Sequence, residues 1–214
     1  MFSLQPSFDT TSDKFIDETS EVVSALAAIH PSLTTQLVYE VILAANEKTQ
    51  HVGTSFPTNA LNALLAMWQF HISGFLREKL CSFGWTKVDG KGGVAYVISP
   101  CKEHAIRVFA GNKYVGLRDG SVSNKSIKGS TLKDDIYPLL NSDKGTTIWT
   151  LLHYRFGELM KLELSQPKSF AKGKIDDWST RIKLPDIKFN IPTTPRMKDK
   201  VEVGVVPVKR KKKA

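Results

Sequence analysis

Hydrophobic residues recur at helical spacing over roughly the first 84 residues of the chain. Three helices are predicted there, separated by Pro31 and by the loop from His51 to Pro57, because proline and glycine interrupt helices. The first is expected to include Phe15 and Ile16, and Ser32 is expected to cap the second. The third, running from about Thr58 to Ser82, is apolar around much of its circumference, which is typical of a buried helix.

After Gly84 the pattern changes to alternation of apolar and polar residues, with glycine, proline and asparagine between the runs. This texture predicts short strands, the first four of them forming an antiparallel meander. A short helix is expected from Thr131 to Leu140 within the following polar stretch. The predicted strands are Trp85–Val88, Gly93–Ser99, Ala105–Phe109, Tyr114–Leu117, Thr146–Tyr154, Leu159–Leu164 and Ile175–Leu184.

The order of these elements predicts an α+β fold. It consists of three N-terminal helices, the third buried, followed by antiparallel strand pairs with one short helix and an extended basic C-terminal tail. Residues 1–84 form the helical part, residues 85–190 the mixed β part of the same domain, and residues 191–214 the tail. The tail is rich in proline and charge and poor in large apolar residues, so it is not expected to pack.

Composition limits the class of protein. The chain has 214 residues, of which 41% are hydrophobic, so a sizeable core can form without disulfides. Two cysteines fit a reducing compartment, and the N-terminus lacks a signal-peptide pattern. The longest apolar stretch is interrupted by charged residues, so no membrane span is expected. A cytoplasmic protein is predicted, with the nucleus as the alternative because Pro207–Lys213 resembles a nuclear-import signal.

Charge is distributed unevenly along the chain. Residues 1–160 carry 15 basic and 15 acidic side chains, whereas residues 161–214 carry 15 basic and 6 acidic ones, so the whole net charge of +9 lies in the last quarter. Such asymmetry favours a polyanionic partner. Five consecutive cations, Lys209, Arg210, Lys211, Lys212 and Lys213, repel one another and cannot pack, which also indicates a partner.

Basic and aromatic residues alternate just before the tail, where Phe170, Trp178 and Phe189 lie among lysines and an arginine. Cations that neutralise phosphates and aromatic rings that stack on bases are the ingredients of nucleic-acid binding with little sequence preference. The alternative is that the rings fill the core and the lysines form a solvated face. The candidate binding residues here are Lys168, Lys172, Lys174, Trp178, Arg181, Lys183 and Lys188, together with the five cations of the tail.

Catalytic and metal-binding motifs are weak in this sequence. The glycines at 90–93 followed by Arg107, Asp119 and Asn124 imitate protein-kinase motifs, but the spacing is far too short for that fold. No zinc site is predicted, since His71 and Cys81 lie too far apart along one helix to join Cys101 and His104. No catalytic residue, metal or cofactor is therefore assigned.

The sequence leaves three hypotheses open. The first is a nucleic-acid-associated accessory protein that grips DNA or RNA phosphates through its basic C-terminal region. The second is a scaffold or assembly subunit whose acidic N-terminal helices dock a basic partner or another copy. The third is a metal-dependent nuclease, for which Asp89 with Lys91 and Asp186 with Lys188 offer acid and lysine fragments.

Overall fold

A computed structural model describes residues 14–55, 61–89, 95–125 and 145–189 of the chain. In chain order, its elements are β1 (Lys14–Ile16), α1 (Thr19–Ile29), α2 (Thr35–Ser55), α3 (Leu61–Cys81), β2 (Thr86–Asp89), β3 (Ala95–Ile98), β4 (His104–Ala110), β5 (Thr147–Phe156), β6 (Leu159–Ala171) and β7 (Lys174–Lys188).

All seven of these strands belong to one mixed sheet, in the order β1-β7-β6-β5-β4-β3-β2. Two pairings are parallel, β1 with β7 and β4 with β5. The other four are antiparallel, and the longest of them joins β6 to β7 through several register shifts between Gln166 and Phe170. Those irregularities bend the far end of the β6–β7 hairpin, as bulges do in general.

The three helices cover one face of the sheet, which we call the helix face. Helices α1 and α2 contact β7, and α3 contacts β2, β3 and β4. The main core lies between the two layers, and fully buried side chains such as Ile42, Ile72 and Leu162 belong to it. Burying each side chain of this size contributes roughly 1.5–3 kcal/mol, so this layer accounts for much of the stability.

The opposite face, here the loop face, carries a second and smaller core that includes Phe109, Leu152 and Trp178. Residues 111–124, which we call the crossing loop, pack over it. Trp178 donates a hydrogen bond from Nε1 to the carbonyl oxygen of Val122 at 2.8 Å. The amide of Ile175 donates to Oδ1 of Asn124, also at 2.8 Å. The bent end of β6–β7 and the crossing loop therefore close over this face together.

The predicted α+β fold class, with separate antiparallel strand pairs, is wrong. A single mixed sheet joins all the described strands, and the parallel pairing of β4 with β5 connects the two groups that were expected to be separate. Phe15 and Ile16 were expected to begin the first helix, but they form β1 beside Arg181 and Ile182. Three residues with two apolar neighbours fit either period, so the sequence could not distinguish the two structures.

Two smaller features also differ from the sequence prediction, one strand and one helix cap. Tyr114–Leu117 is a turn and not a strand, because Oδ1 of Asn112 accepts the Tyr114 amide at 3.1 Å and the Leu117 amide bonds back to Tyr114. Thr34 caps α2 in place of Ser32, since its Oγ1 accepts the Leu37 amide at 3.0 Å.

Helix α3 is buried on one side only. Trp68, Ile72, Leu76 and Leu80 are buried on that side, whereas Phe70 is 70% exposed. The helix is therefore less enclosed than its composition suggested. The short helix predicted at 131–140 and the predicted tail at 191–214 lie outside the described residues, as do Lys209, Arg210, Lys211, Lys212 and Lys213.

Candidate nucleic-acid interface

Two of the predicted binding residues are buried inside the protein. Trp178 is 3% exposed and Arg181 is 2% exposed, and both lie under the crossing loop. Of the aromatic residues, Phe189 is also buried and Phe170 packs against the second core. These rings fill cores, and neither Trp178 nor Arg181 is available at the surface where the sequence pattern suggested it.

Arg181 instead forms a buried ion pair with Glu163. Its Nη2 and Nε atoms lie 2.8 and 3.2 Å from the two carboxylate oxygens. Nη2 also donates to the carbonyl of Leu117 at 2.8 Å. Glu163 accepts two further hydrogen bonds, from the amide of Gly116 at 2.7 Å and from the hydroxyl of Ser165 at 2.8 Å. The pair thus fastens the crossing loop to the sheet, a structural role that consumes its hydrogen-bonding capacity.

This pair belongs to a polar row that crosses the loop face of the sheet. The register places Arg107 opposite Thr150, Thr150 opposite Ser165, and Ser165 opposite Arg181. Nε of Arg107 donates to the Thr150 hydroxyl at 3.0 Å, and the Arg107 guanidinium lies over the ring of Phe109. Residues far apart in the sequence thus meet in this row, and Arg107 has a structural role in it.

Three of the predicted lysines lie at the far end of the β6–β7 hairpin. Lys168 lies 3.4 Å from Asp177, and Lys172 adopts a left-handed backbone conformation with φ of 51°. Lys174 begins β7, opposite Ala171. Asp176 and Asp177 stand on the same hairpin, so the positive charge of this end is partly balanced.

Lys188, an exposed member of the predicted set, lies at the other end of the sheet, near the β5–β6 turn. There the register aligns Tyr154 with Lys161 across β5 and β6, and aligns Phe156 with Leu159. Leu159 is in turn opposite Lys188 of β7. We call these five residues, Tyr154, Phe156, Leu159, Lys161 and Lys188, the strand-end surface.

Four of these five residues are not among the predicted binding residues. The sequence pattern places Tyr154 at the end of a strand and Phe156 in the turn after it, and Lys161 lies outside the basic and aromatic stretch. The signal that could have found them is the pair of aromatic residues two positions apart on one strand, followed by a lysine on the next. That signal becomes meaningful only when the register between β5, β6 and β7 is known.

The helix face at the same end of the sheet carries an aromatic and cation cluster. The guanidinium of Arg155 lies over the rings of Trp68 and Phe189, 4.9 and 5.2 Å from their centroids. Burial lowers the pKa of Arg155 from its usual value. The amide of Phe189 donates to the carbonyl of Glu158 at 2.8 Å. The last described residue is therefore held beside the β5–β6 turn.

His153 is fully buried within β5. Burial alone lowers its pKa from 6.5 to about 4, because the charged imidazolium would lose its hydration. Its Nε2 atom has no hydrogen-bond partner. A neutral histidine at this position behaves as a core residue, and it has no reacting group or ligand beside it within the described part of the chain.

The nuclease hypothesis gains no site from the carboxylates. Asp89 forms an ion pair with Arg77 at 2.7 Å, and Asp176 accepts a hydrogen bond from Ser169. Among the described residues, no group of three or more histidine, cysteine, aspartate or glutamate side chains could hold a metal ion.

Comparison with protein-family models, with curated proteins and with solved structures gave no match. Within the described ranges, none of the helices has the length and apolar character needed to cross a membrane.

Proposed function

We propose that the protein is a nucleic-acid-binding accessory protein that contacts the phosphate backbone with little sequence preference. The observation that carries this proposal is the separation of charge along the chain. Residues 1–160 balance 15 basic against 15 acidic side chains, and residues 161–214 hold the entire excess of +9. Electrostatic attraction to phosphates supplies most of non-specific nucleic-acid affinity.

The position of Phe189 supports this proposal, and the burial of two predicted residues reduces the set of direct contacts. Phe189 is anchored beside the β5–β6 turn, and the basic C-terminal sequence, whose first cation is Arg196, comes after it in the chain. The sequence after residue 189 adds eight basic and two acidic side chains, a net of +6. Trp178 and Arg181 leave the set of direct contacts because they are buried. The exposed lysines and the five terminal cations remain in it.

Salt dependence tests the proposal. The affinity of the full chain for short DNA and RNA oligonucleotides should fall steeply as salt rises, because bound phosphates release counterions. Replacing all five cations at 209–213 with glutamine should flatten the slope of log K against log salt by about 3.5, at roughly 0.7 per lost contact. Fluorescence anisotropy across a salt series measures both quantities.

A lysine on the sheet provides a control outside the tail. Lys87 is an exposed lysine on β2, at the opposite edge of the sheet from β7, so Lys87→Gln should change the slope little. Affinity that ignores both salt and the five substitutions would overturn the proposal. An oligomer that survives nuclease treatment, seen by light scattering, together with no affinity for oligonucleotides, would favour an assembly subunit instead.

A further inference from the structure

The strand-end surface places two aromatic side chains on one face of β5. Tyr154 and Phe156 are two residues apart on a strand whose pairing with β6 is regular from Thr150 to Phe156, so both side chains point to the same side. Tyr154 packs against the second core, which identifies that side as the loop face. The two rings therefore stand about 7 Å apart along the strand.

Two lysines lie on the same face as the rings. Lys161 is directly opposite Tyr154, and Lys188 follows Leu159 in the row that begins with Phe156. Directly opposite side chains lie about 5 Å apart, so Lys161 is within reach of a phosphate bound beside Tyr154. Lys188 is two strands from Phe156, a distance of about 10 Å, which places it to hold a phosphate farther along the same bound strand.

The crossing loop borders this surface on its inner side. A Cβ atom added to Gly116 would lie 3.9 Å from Cβ of Lys161 and 3.9 Å from Cγ of Lys183. The loop thus crosses the sheet beside these lysines, while Phe156 at the turn remains 72% exposed. The strand-end surface is therefore a shallow shelf, bordered on its inner side by the crossing loop and open to solvent at the β5–β6 turn.

The charges of this shelf are mainly positive. Lys161, Lys183 and Lys188 contribute three cations, and the acids closest to them along the chain are Glu158 in the turn, Glu163 and Asp186. Glu163, opposite Lys183, is already paired with Arg181. Asp186 lines a cavity with Thr35 and Tyr39 of the helical layer, so it belongs to the helix face.

These features fit one kind of occupant. Phe156 is exposed and Tyr154 is half-buried. Accessible ring faces with cations nearby stack on unpaired bases and hold the connecting phosphates, and this combination is sequence-tolerant because every base has a flat face. In a duplex the base faces are stacked on one another, so a duplex can contact the lysines but cannot stack on the rings. A membrane surface or a protein would not require two rings spaced along one strand.

We propose that the strand-end surface binds single-stranded nucleic acid, with bases stacked on Phe156 and Tyr154 and phosphates held by Lys161 and Lys188. This proposal rests on the proposed function and makes it more specific. The tail supplies affinity and the surface supplies the preference for single strands.

The test compares two exposed phenylalanines in the full chain. Phe156→Ala should weaken binding of a single-stranded oligonucleotide roughly tenfold and leave duplex binding nearly unchanged, because only stacking is lost. Phe70→Ala is the matched control, since Phe70 is 70% exposed but lies on α3. It should leave both affinities unchanged. Phe156→Trp should retain or increase single-strand binding, because the larger ring still stacks.

The outcomes separate this proposal from the broader one. If the wild-type chain binds neither single strands nor duplex, the proposed function fails. If it binds both with a steep salt dependence, but Phe156→Ala behaves like Phe70→Ala, only the stacking proposal is overturned. Thermal melting of each variant checks the fold, which should be intact because both side chains are mostly exposed.

Discussion

Glu163 is the residue on which the interior of the loop face depends most. It lies buried between Arg181, Ser165 and the amide of Gly116, and each of these donates a hydrogen bond to it. Removing one partner from a buried pair leaves the other charge without compensation, which is far more costly than the net contribution of the pair.

Glu163→Gln should therefore lower the free energy of unfolding by about 3 kcal/mol, because Arg181 stays charged and buried. Urea denaturation measures this loss. Glu40→Gln is the control, since Glu40 pairs with Lys79 at 3.1 Å where both side chains are about half exposed. Breaking that surface pair should cost far less, because solvent screens it. Equal effects from the two variants would contradict the structural role assigned to Glu163.

His153 should make the protein sensitive to acid. Its folded pKa of about 4 lies below the ordinary 6.5, so the unfolded chain takes up the proton first. The stabilising effect of neutral His153 is complete above pH 6.5 and is lost as the pH falls toward 4. At about 1.4 kcal/mol per unit of pKa difference, the total loss is about 3 kcal/mol.

His153→Leu should remove this dependence, because leucine fills the site without a titrating group. Between about pH 7 and about pH 4.5, the variant should lose about 2 kcal/mol less stability than the wild type, as measured by urea denaturation. An unchanged profile in His153→Leu would show that other groups control the acid response.

For single residues, the sequence pattern indicated which side chains could bind nucleic acid but not whether they are exposed. The alternation of Trp178 and Arg181 with lysines predicted one exposed face of mixed rings and cations. In the structure, the crossing loop covers both side chains, and it comes from more than fifty residues earlier in the chain. Burial created by a distant loop leaves no local trace in a sequence.

Among the elements, the crossing loop is the least regular and has strict backbone requirements. Gly120 has φ of +114°, a conformation that side chains rarely adopt, and a Cβ atom there would overlap the ring of Tyr114. This glycine fixes the position of Tyr114, which packs against the second core.

Gly120→Ala should lower the free energy of unfolding by about 2 kcal/mol, since both the backbone and the ring must shift. Gly145→Ala is the control, because Gly145 also has a positive φ, of +58°, but has no atoms within 4 Å of the added Cβ. Its cost should be about 1 kcal/mol. Thermal or urea unfolding compares the two, and equal losses would indicate that overlap with Tyr114 is unimportant.

The helices and most strands could be predicted because their periodicity is local. The pairing of β4 with β5 could not, because residues 111–146 separate these strands and no motif signals a parallel connection. The error in fold class follows from this single missing pairing. The strand-end surface was missed for the same reason, since it is assembled from the register of three strands.

At the level of the whole molecule, the excess of basic residues lies in the last part of the chain. The helices lie between β1 and β2 in the chain and contribute little net charge, whereas exposed lysines such as Lys168 and Lys188 lie on β6 and β7. Binding of a polyanion should therefore engage β6 and β7 and leave the helices free. The salt experiment tests the contribution of the five cations at 209–213, and the Phe156 experiment tests that of the strand-end surface.

The pairing of β1 with β7 has a consequence for how the chain reaches its native state. Lys14 aligns with Thr180, and Arg181 beside Phe15 completes the ion pair with Glu163. A ribosome that has made the helices and five strands has still not supplied the partner of β1. Closing so long a loop is slow in folding domains. The first strand must therefore wait unpaired until nearly the whole sheet has been synthesised.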